Sequence, residues 1–154
     1  FAGILFGLDY WLFGGKIPGL ADTYKVATTF TSFMSAIFYG GIVEEVFMRL
    51  FLMSLFAFLL WKLFVRHRDK KHIPKSIFII ANVLSATLFA AGHLPATVTL
   101  FGALSPLIVF RCFLYNGGLG IVFGALYRRY GIQYAMIAHA GIHIVSKAIW
   151  LLLI

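Results

Sequence analysis

Residues 42–65 read IVEEVFMRLFLMSLFAFLLWKLFV. Glu44, Glu45, Arg49 and Lys62 are the charged positions in this run, and it holds neither glycine nor proline. A helix needs roughly 20 apolar residues to cross the hydrocarbon core of a bilayer, and this run is long enough. It shows no alternation of polar and apolar residues, so a barrel strand is excluded. The same texture recurs outward in both directions. Apolar stretches occupy 1–13, 26–39, 76–94, 97–113, 117–127 and 132–154. Turn-rich or charged segments separate them: 14–25 with its Gly-Gly and Pro-Gly pairs, Gly40-Gly41, the polar loop 66–75, Pro95, Tyr115-Asn116-Gly117-Gly118, and the basic turn 128–131. The pattern predicts an all-α, polytopic transmembrane bundle of about six to seven helices. It forms a single domain over 1–154, without internal repeats. The start at Phe1 and the apolar end read as a piece of a longer chain.

Composition agrees. Hydrophobic residues make up 62% of the chain and charged residues 12%, against about 25% charged in soluble domains. The apolar start lacks the basic flank of a signal peptide. The formal charge is +8, and five of the 13 Lys and Arg fall in 66–75. A basic cluster confined to one loop between apolar spans argues for contact with anionic membrane lipids and against nucleic acid. The lone Cys112 excludes an intrachain disulfide and packs as a small apolar side chain.

Ionisable groups inside spans are costly, so they point to function. Four places stand out. In Glu44-Glu45-Val46-Phe47-Met48-Arg49, the i,i+4 spacing sets Glu45 and Arg49 on one helix face as an ion pair. Glu44 is left over. Partial burial beside a like charge raises a carboxylate's pKa, as a general base requires. Phe89-Ala90-Ala91-Gly92-His93 places a histidine at the end of a span, where a structural role is the commoner one. His139-Ala140-Gly141-Ile142-His143 puts two imidazoles one turn apart. That spacing suits metal ligation, paired hydrogen-bond donors or a structural pair. The zinc-protease pattern H-E-x-x-H is not met, because Ala140 stands at the glutamate position. Lys147, a turn beyond His143, reads as a snorkelling cation.

Taken in order, these stretches resemble the CAAX protease and bacteriocin-processing family of intramembrane proteases, which includes the type II CAAX prenyl endopeptidases. The family pattern is E-E-x-x-x-R, F-x-x-x-H and H-x-x-x-N on separate helices. Here Glu44 to Arg49 and Phe89 to His93 complete the first two, and the third keeps His139 but carries His143 where Asn is common. The resemblance implies an intramembrane endopeptidase acting on a membrane-associated or lipidated peptide or protein. Glu44 and His93 would activate a water, Glu45 would support the site, and Arg49 would orient the acidic pair, with Phe89 as a further supporting residue. His139 and His143 would stabilise the oxyanion. The cofactor is either none or a divalent metal such as zinc. In the latter case Glu44, His93, His139 and His143 would be its ligands. The alternative is a non-catalytic relative serving as a membrane scaffold or a bacteriocin self-immunity partner, with a membrane protein as its partner. A transporter relay fits less well, since it needs charges at several depths. The expected location is a bacterial plasma membrane or an organellar membrane.

Convergence of these residues demands a common depth. Glu44 and His93 are expected near the face opposite the 66–75 loop. His139 joins them only if the 128–131 turn lies on that same face, which requires two crossings between Pro95 and Tyr130. The positive-inside rule places the 66–75 loop in the cytoplasm together with Lys16 and Lys25, while Arg128 and Arg129 pull the other way.

Overall fold

The structure is a computed structural model that describes residues 2–25, 29–67 and 73–153. Residues 68–72 of the basic loop, the start of the 26–39 span and the Lys25 side chain lie outside the described residues. Seven helices follow one another: α1 (Ala2–Gly7), α2 (Asp9–Phe13), α3 (Leu20–Lys25), α4 (Phe30–Phe64), α5 (Lys75–Phe101), α6 (Pro106–Tyr130) and α7 (Ile132–Leu153). No strand occurs among the described residues. The all-α bundle expected from the sequence is therefore present. The seven helices match the expected number, and among the described residues four of them, α4 to α7, are long and apolar enough to cross a membrane, fewer crossings than the apolar stretches suggest.

The difference lies in what glycine and proline do here. The 1–13 stretch folds as the short helices α1 and α2. Gly40-Gly41, read as a kink or connection, lies inside the continuous α4. A Cβ on Gly41 would come within 2.9 Å of the Ala140 Cβ, so the pair serves close approach of α4 to α7. Tyr115 to Gly118, read as a break, lies inside the continuous α6. There Gly117 and Gly120 face Ala90 and Ala86 of α5. Pro95, read as the end of a span, follows a single turn residue at His93, and α5 resumes at Leu94. Proline in the first turn of a helical segment lacks only an N–H that would have no partner. The actual stops are Gly102 and Gly131, at φ 74° and 105°, values that favour glycine. The starts carry side-chain caps. Thr29 Oγ1 accepts from the Ser32 amide at 3.1 Å, and Ser105 Oγ accepts from the Ile108 amide at 3.3 Å.

Because α6 is one helix, the 128–131 turn lies at the same end as the 66–75 loop, not opposite it. The Arg128 guanidinium sits 5.4 Å from the ring centroid of Phe78, in the first turn of α5. Arg128 and Arg129 thus reinforce the basic end. Lys16 is at the other end. It lies between Phe13 and Ile17, which pack with Leu20, Ile108 and Tyr115 near the start of α6.

Two polar clamps tie the bundle together. Asp9, fully buried, accepts both Arg111 Nε (2.8 and 3.0 Å to its two oxygens) and Arg111 Nη2, and the Tyr24 hydroxyl also donates to it. This cluster anchors α1–α3 to α6. Burial and the Asp9 carboxylate push the Tyr24 phenol above its ordinary range. The second clamp is Asn82 of α5, whose Nδ2 donates to the Ile121 carbonyl of α6 at 2.9 Å. Large apolar residues such as Phe38, Phe51, Ile79 and Ile137 face outward, as a lipid solvent permits.

The Asn82 clamp generates a test. A Cβ at Gly124 would fall 1.9 Å from Asn82 Oδ1. Gly124→Ala is expected to destabilise the bundle by about 1–3 kcal/mol, with much of the loss recovered in the Asn82→Ala/Gly124→Ala double variant. Thermal melts of the purified chain in detergent decide the matter, and additive losses would refute the steric account.

Candidate active site

Every residue that the sequence pattern singles out near the acidic pair sits where α4, α5 and α7 meet, with α6 behind them. The α4 backbone is π-helical over Ala36–Glu44 and again over Val46–Met53. Such i→i+5 segments concentrate at functional sites, and these two carry Gly40, Glu44 and Arg49, with Glu45 between them.

Glu45 is the centre of the arrangement. Its side chain is fully buried, and both oxygens are engaged. Arg49 Nε donates to Oε2 at 3.1 Å, which is the ion pair expected from the i,i+4 spacing. His139 Nδ1 lies 2.9 Å from Oε1. An ionised carboxylate has no proton to give, so His139 Nδ1 carries the hydrogen. Arg49 is also fully buried, its guanidinium set between the rings of Phe89 (5.5 Å) and Phe123 (5.8 Å). Arg49 Nη1 reaches towards Ser85 Oγ at 3.4 Å, and Ser85 in turn donates to the Met48 carbonyl at 2.8 Å.

The imidazoles are held by rings. Phe123 stacks on His139 at 4.6 Å, and His139 stacks on His143 at 5.2 Å and 21°. Phe89 meets both His93 (4.6 Å) and His139 (6.1 Å) edge to face. Gly40 of α4 makes room for the histidine pair. A Cβ there would lie 2.8 Å from His143 Nε2 and 3.3 Å from His139 Nε2. Both inward nitrogens therefore point at the α4 backbone one turn before Glu44.

Glu44 differs from its neighbour. Its side chain is 22% exposed, and Oε2 stands 3.9 Å from His139 Nε2, beyond hydrogen-bond reach. It lines a cavity of about 510 Å³ together with His93, Phe89, Gly92 and an apolar wall that includes Tyr39, Val43, Phe47 and Leu88. Tyr39, Val43, Phe47 and Leu88 are exposed on the outer surface, so the cavity opens sideways between α4 and α5. His93 Nδ1 is 2.8 Å from the Phe89 carbonyl, which can only accept. That fixes the proton on Nδ1 and leaves Nε2 as an acceptor when the ring is neutral.

Among the described residues no three His, Cys, Asp or Glu are arranged to hold a metal ion. His139 Nδ1 is engaged by Glu45, while its Nε2 and that of His143 face the α4 backbone at Gly40.

Ser85, Phe123 and Gly40 carry no sequence signal for their roles, which emerge only from the packing of α5, α6 and α4 around Arg49 and the histidines. Asp9 and Arg111 satisfy the same criterion that singles out Glu44, a charge inside an apolar stretch, and applying it to them finds the clamp on α1–α3. Lys147 lies with its Nζ 4.6 Å from the Trp150 ring centroid, away from Glu45.

In comparisons with known proteins, the family described as type II CAAX prenyl endopeptidase Rce1-like matches residues 26–145. No curated protein and no solved structure matches the chain.

The buried pair yields a prediction. Removing the cation while leaving Glu45 buried should cost about 3–5 kcal/mol. Arg49→Met is thus expected to lower the melting temperature sharply, and Glu45→Gln/Arg49→Met to restore part of it. A single Arg49→Met variant as stable as the parent would contradict the pairing.

Proposed function

The chain belongs to the type II CAAX prenyl endopeptidase Rce1-like family, an integral membrane protease family, and from that premise we propose that Glu44 and His93 activate the water that hydrolyses a peptide bond of a membrane-associated or lipidated substrate. The observation that carries this reading is the division of labour in the acidic pair. Glu45 is used up by Arg49 and His139, whereas Glu44 keeps its carboxylate on the cavity shared with His93.

In this mechanism a water is held between the Glu44 carboxylate and His93 Nε2. Glu44 takes a proton as the water oxygen attacks the scissile carbonyl carbon. The carbonyl π electrons move onto oxygen and form the tetrahedral oxyanion. When the C–N bond breaks, the proton held by Glu44 passes to the leaving amine. Donors aimed at the oxyanion lower the barrier by several kcal/mol. His139 and His143 fill that role through Nε2. With Nδ1–H donated to Glu45, His139 donates to the oxyanion from Nε2–H, so both of its ring nitrogens carry hydrogen in this step. The substrate enters sideways from the membrane, a bacterial plasma membrane or an organellar one, through the lateral opening between α4 and α5.

Two activity tests follow, both on a fluorogenic lipidated peptide. Glu44→Gln keeps the shape and removes the base. We expect kcat to fall by about 10²–10⁴-fold with an unchanged melting temperature. A variant that keeps full turnover would end the proposal and favour a scaffold role. Gly40→Ala would press a methyl group against both Nε2 atoms and shift the imidazoles. Displacements on that scale cost about 10²-fold in rate, so kcat should drop while KM changes little. Normal kcat in this variant would take the histidine pair out of the reaction.

A further inference from the structure

A second cavity, of about 370 Å³, lies at the basic end of the bundle and is lined by Met53, Ser54, Ala57, Phe78, Tyr127 and Arg128. It is built from three elements: α4 one turn beyond Arg49, the first turn of α5, and the last turns of α6. Its chemistry divides cleanly. Met53, Ala57 and Phe78 form an apolar wall. Ser54 and Tyr127 present hydroxyls, 3.1 Å apart, and Arg128 supplies an exposed guanidinium.

Three observations point to the occupant. First, among the described residues Arg128 is in no ion pair. Its guanidinium lies 5.4 Å from the Phe78 ring centroid, an arrangement that holds the group by its face and leaves the N–H edge for an anion. Second, the surrounding field is positive. Lys62, Arg66, Lys75 and Arg129 belong to the same end, whereas Glu44 and Glu45 are in mid-helix and Asp9 and Asp22 belong to α2 and α3 at the other end. Asp69, the remaining acid, lies outside the described residues. Third, the cavity stands at a helix end beside lipid-facing surface, where an anion would arrive attached to an acyl chain. Basic pockets between transmembrane helices at such a depth suit phosphate-bearing headgroups.

We propose that this cavity binds the phosphate headgroup of an anionic membrane lipid, with Arg128 as a bidentate donor, the Tyr127 hydroxyl as a further donor, and the glycerol and upper acyl carbons against Met53, Ala57 and Phe78. Ser54 donates to the Arg49 carbonyl at 3.3 Å, so the lipid site adjoins the helix segment that carries the buried ion pair. The proposal is independent of the peptidase reading.

The test uses the purified full chain in nanodiscs of phosphatidylcholine with a minor fraction of phosphatidylglycerol. Native mass spectrometry after mild delipidation reports the lipid retained. The parent is expected to keep one phosphatidylglycerol per chain in preference to phosphatidylcholine. Arg128→Gln should weaken retention by about fivefold or more, and Tyr127→Phe by less. Arg129→Gln, the same charge change at a side chain outside the cavity, should retain the lipid as the parent does. Equal losses in the two arginine variants would reduce the effect to diffuse charge and overturn the site, as would absence of any retained anionic lipid from a folded parent. Thermal stabilisation by inorganic phosphate alone, equal to that by the lipid, would overturn the lipid as the source.

Discussion

A single carboxylate, that of Glu45, holds the centre of this molecule together. It is removed from solvent entirely and is satisfied by an arginine on its own helix and a histidine on α7. A charge in such a place is tolerable only with partners on every open lone pair. The requirement propagates outward. Arg49, drawn inside to meet it, needs ring faces, and Phe89 and Phe123 provide them. His139, fixed by the same carboxylate, orients His143 by stacking. Four helices are thereby set in register around one anion.

Two consecutive acids thus have different surroundings, Glu45 the core and Glu44 the cavity. Successive positions on a helix point in different directions, so one acid faces the core and the next faces the cavity. Had a single acid been asked to serve both ends, the buried cation would have lowered its affinity for a proton and weakened it as a base. With Glu45 bonded to Arg49, the Glu44 carboxylate shares a partly open, largely apolar cavity with His93.

What the sequence made legible followed from cost. Charges inside apolar stretches are expensive wherever they occur, and so Glu44, Glu45, Arg49, His93 and the His139–His143 pair were readable before any coordinates. Glycine has no such single meaning. At Gly40, Gly41, Gly117 and Gly120 it permits helices to touch, and in Gly102 and Gly131 it ends them. Local sequence does not distinguish the two uses, because the deciding partner, Ala140 in one case and Ala90 in another, is remote in the chain. The error over crossings came from there, and the depth argument inherited it. Two crossings between Pro95 and Tyr130 are required only of a site near one face. Glu45 instead lies near the middle of the 35-residue α4, so a histidine two turns into α7 reaches it from the basic end.

The wide winding of α4 from Ala36 to Met53 sets an indexing rule for this helix. Each residue added to or removed from an ordinary helix swings everything beyond it by about 100°, whereas an i→i+5 turn absorbs one residue more than an i→i+4 turn at nearly the same angular position. Relatives of this chain that differ by one residue between Gly40 and Arg49 can therefore keep acid, acid and cation on their proper bearings by trading one kind of turn for the other. Along this stretch, then, separation in sequence does not by itself fix the direction in which a side chain leaves the helix.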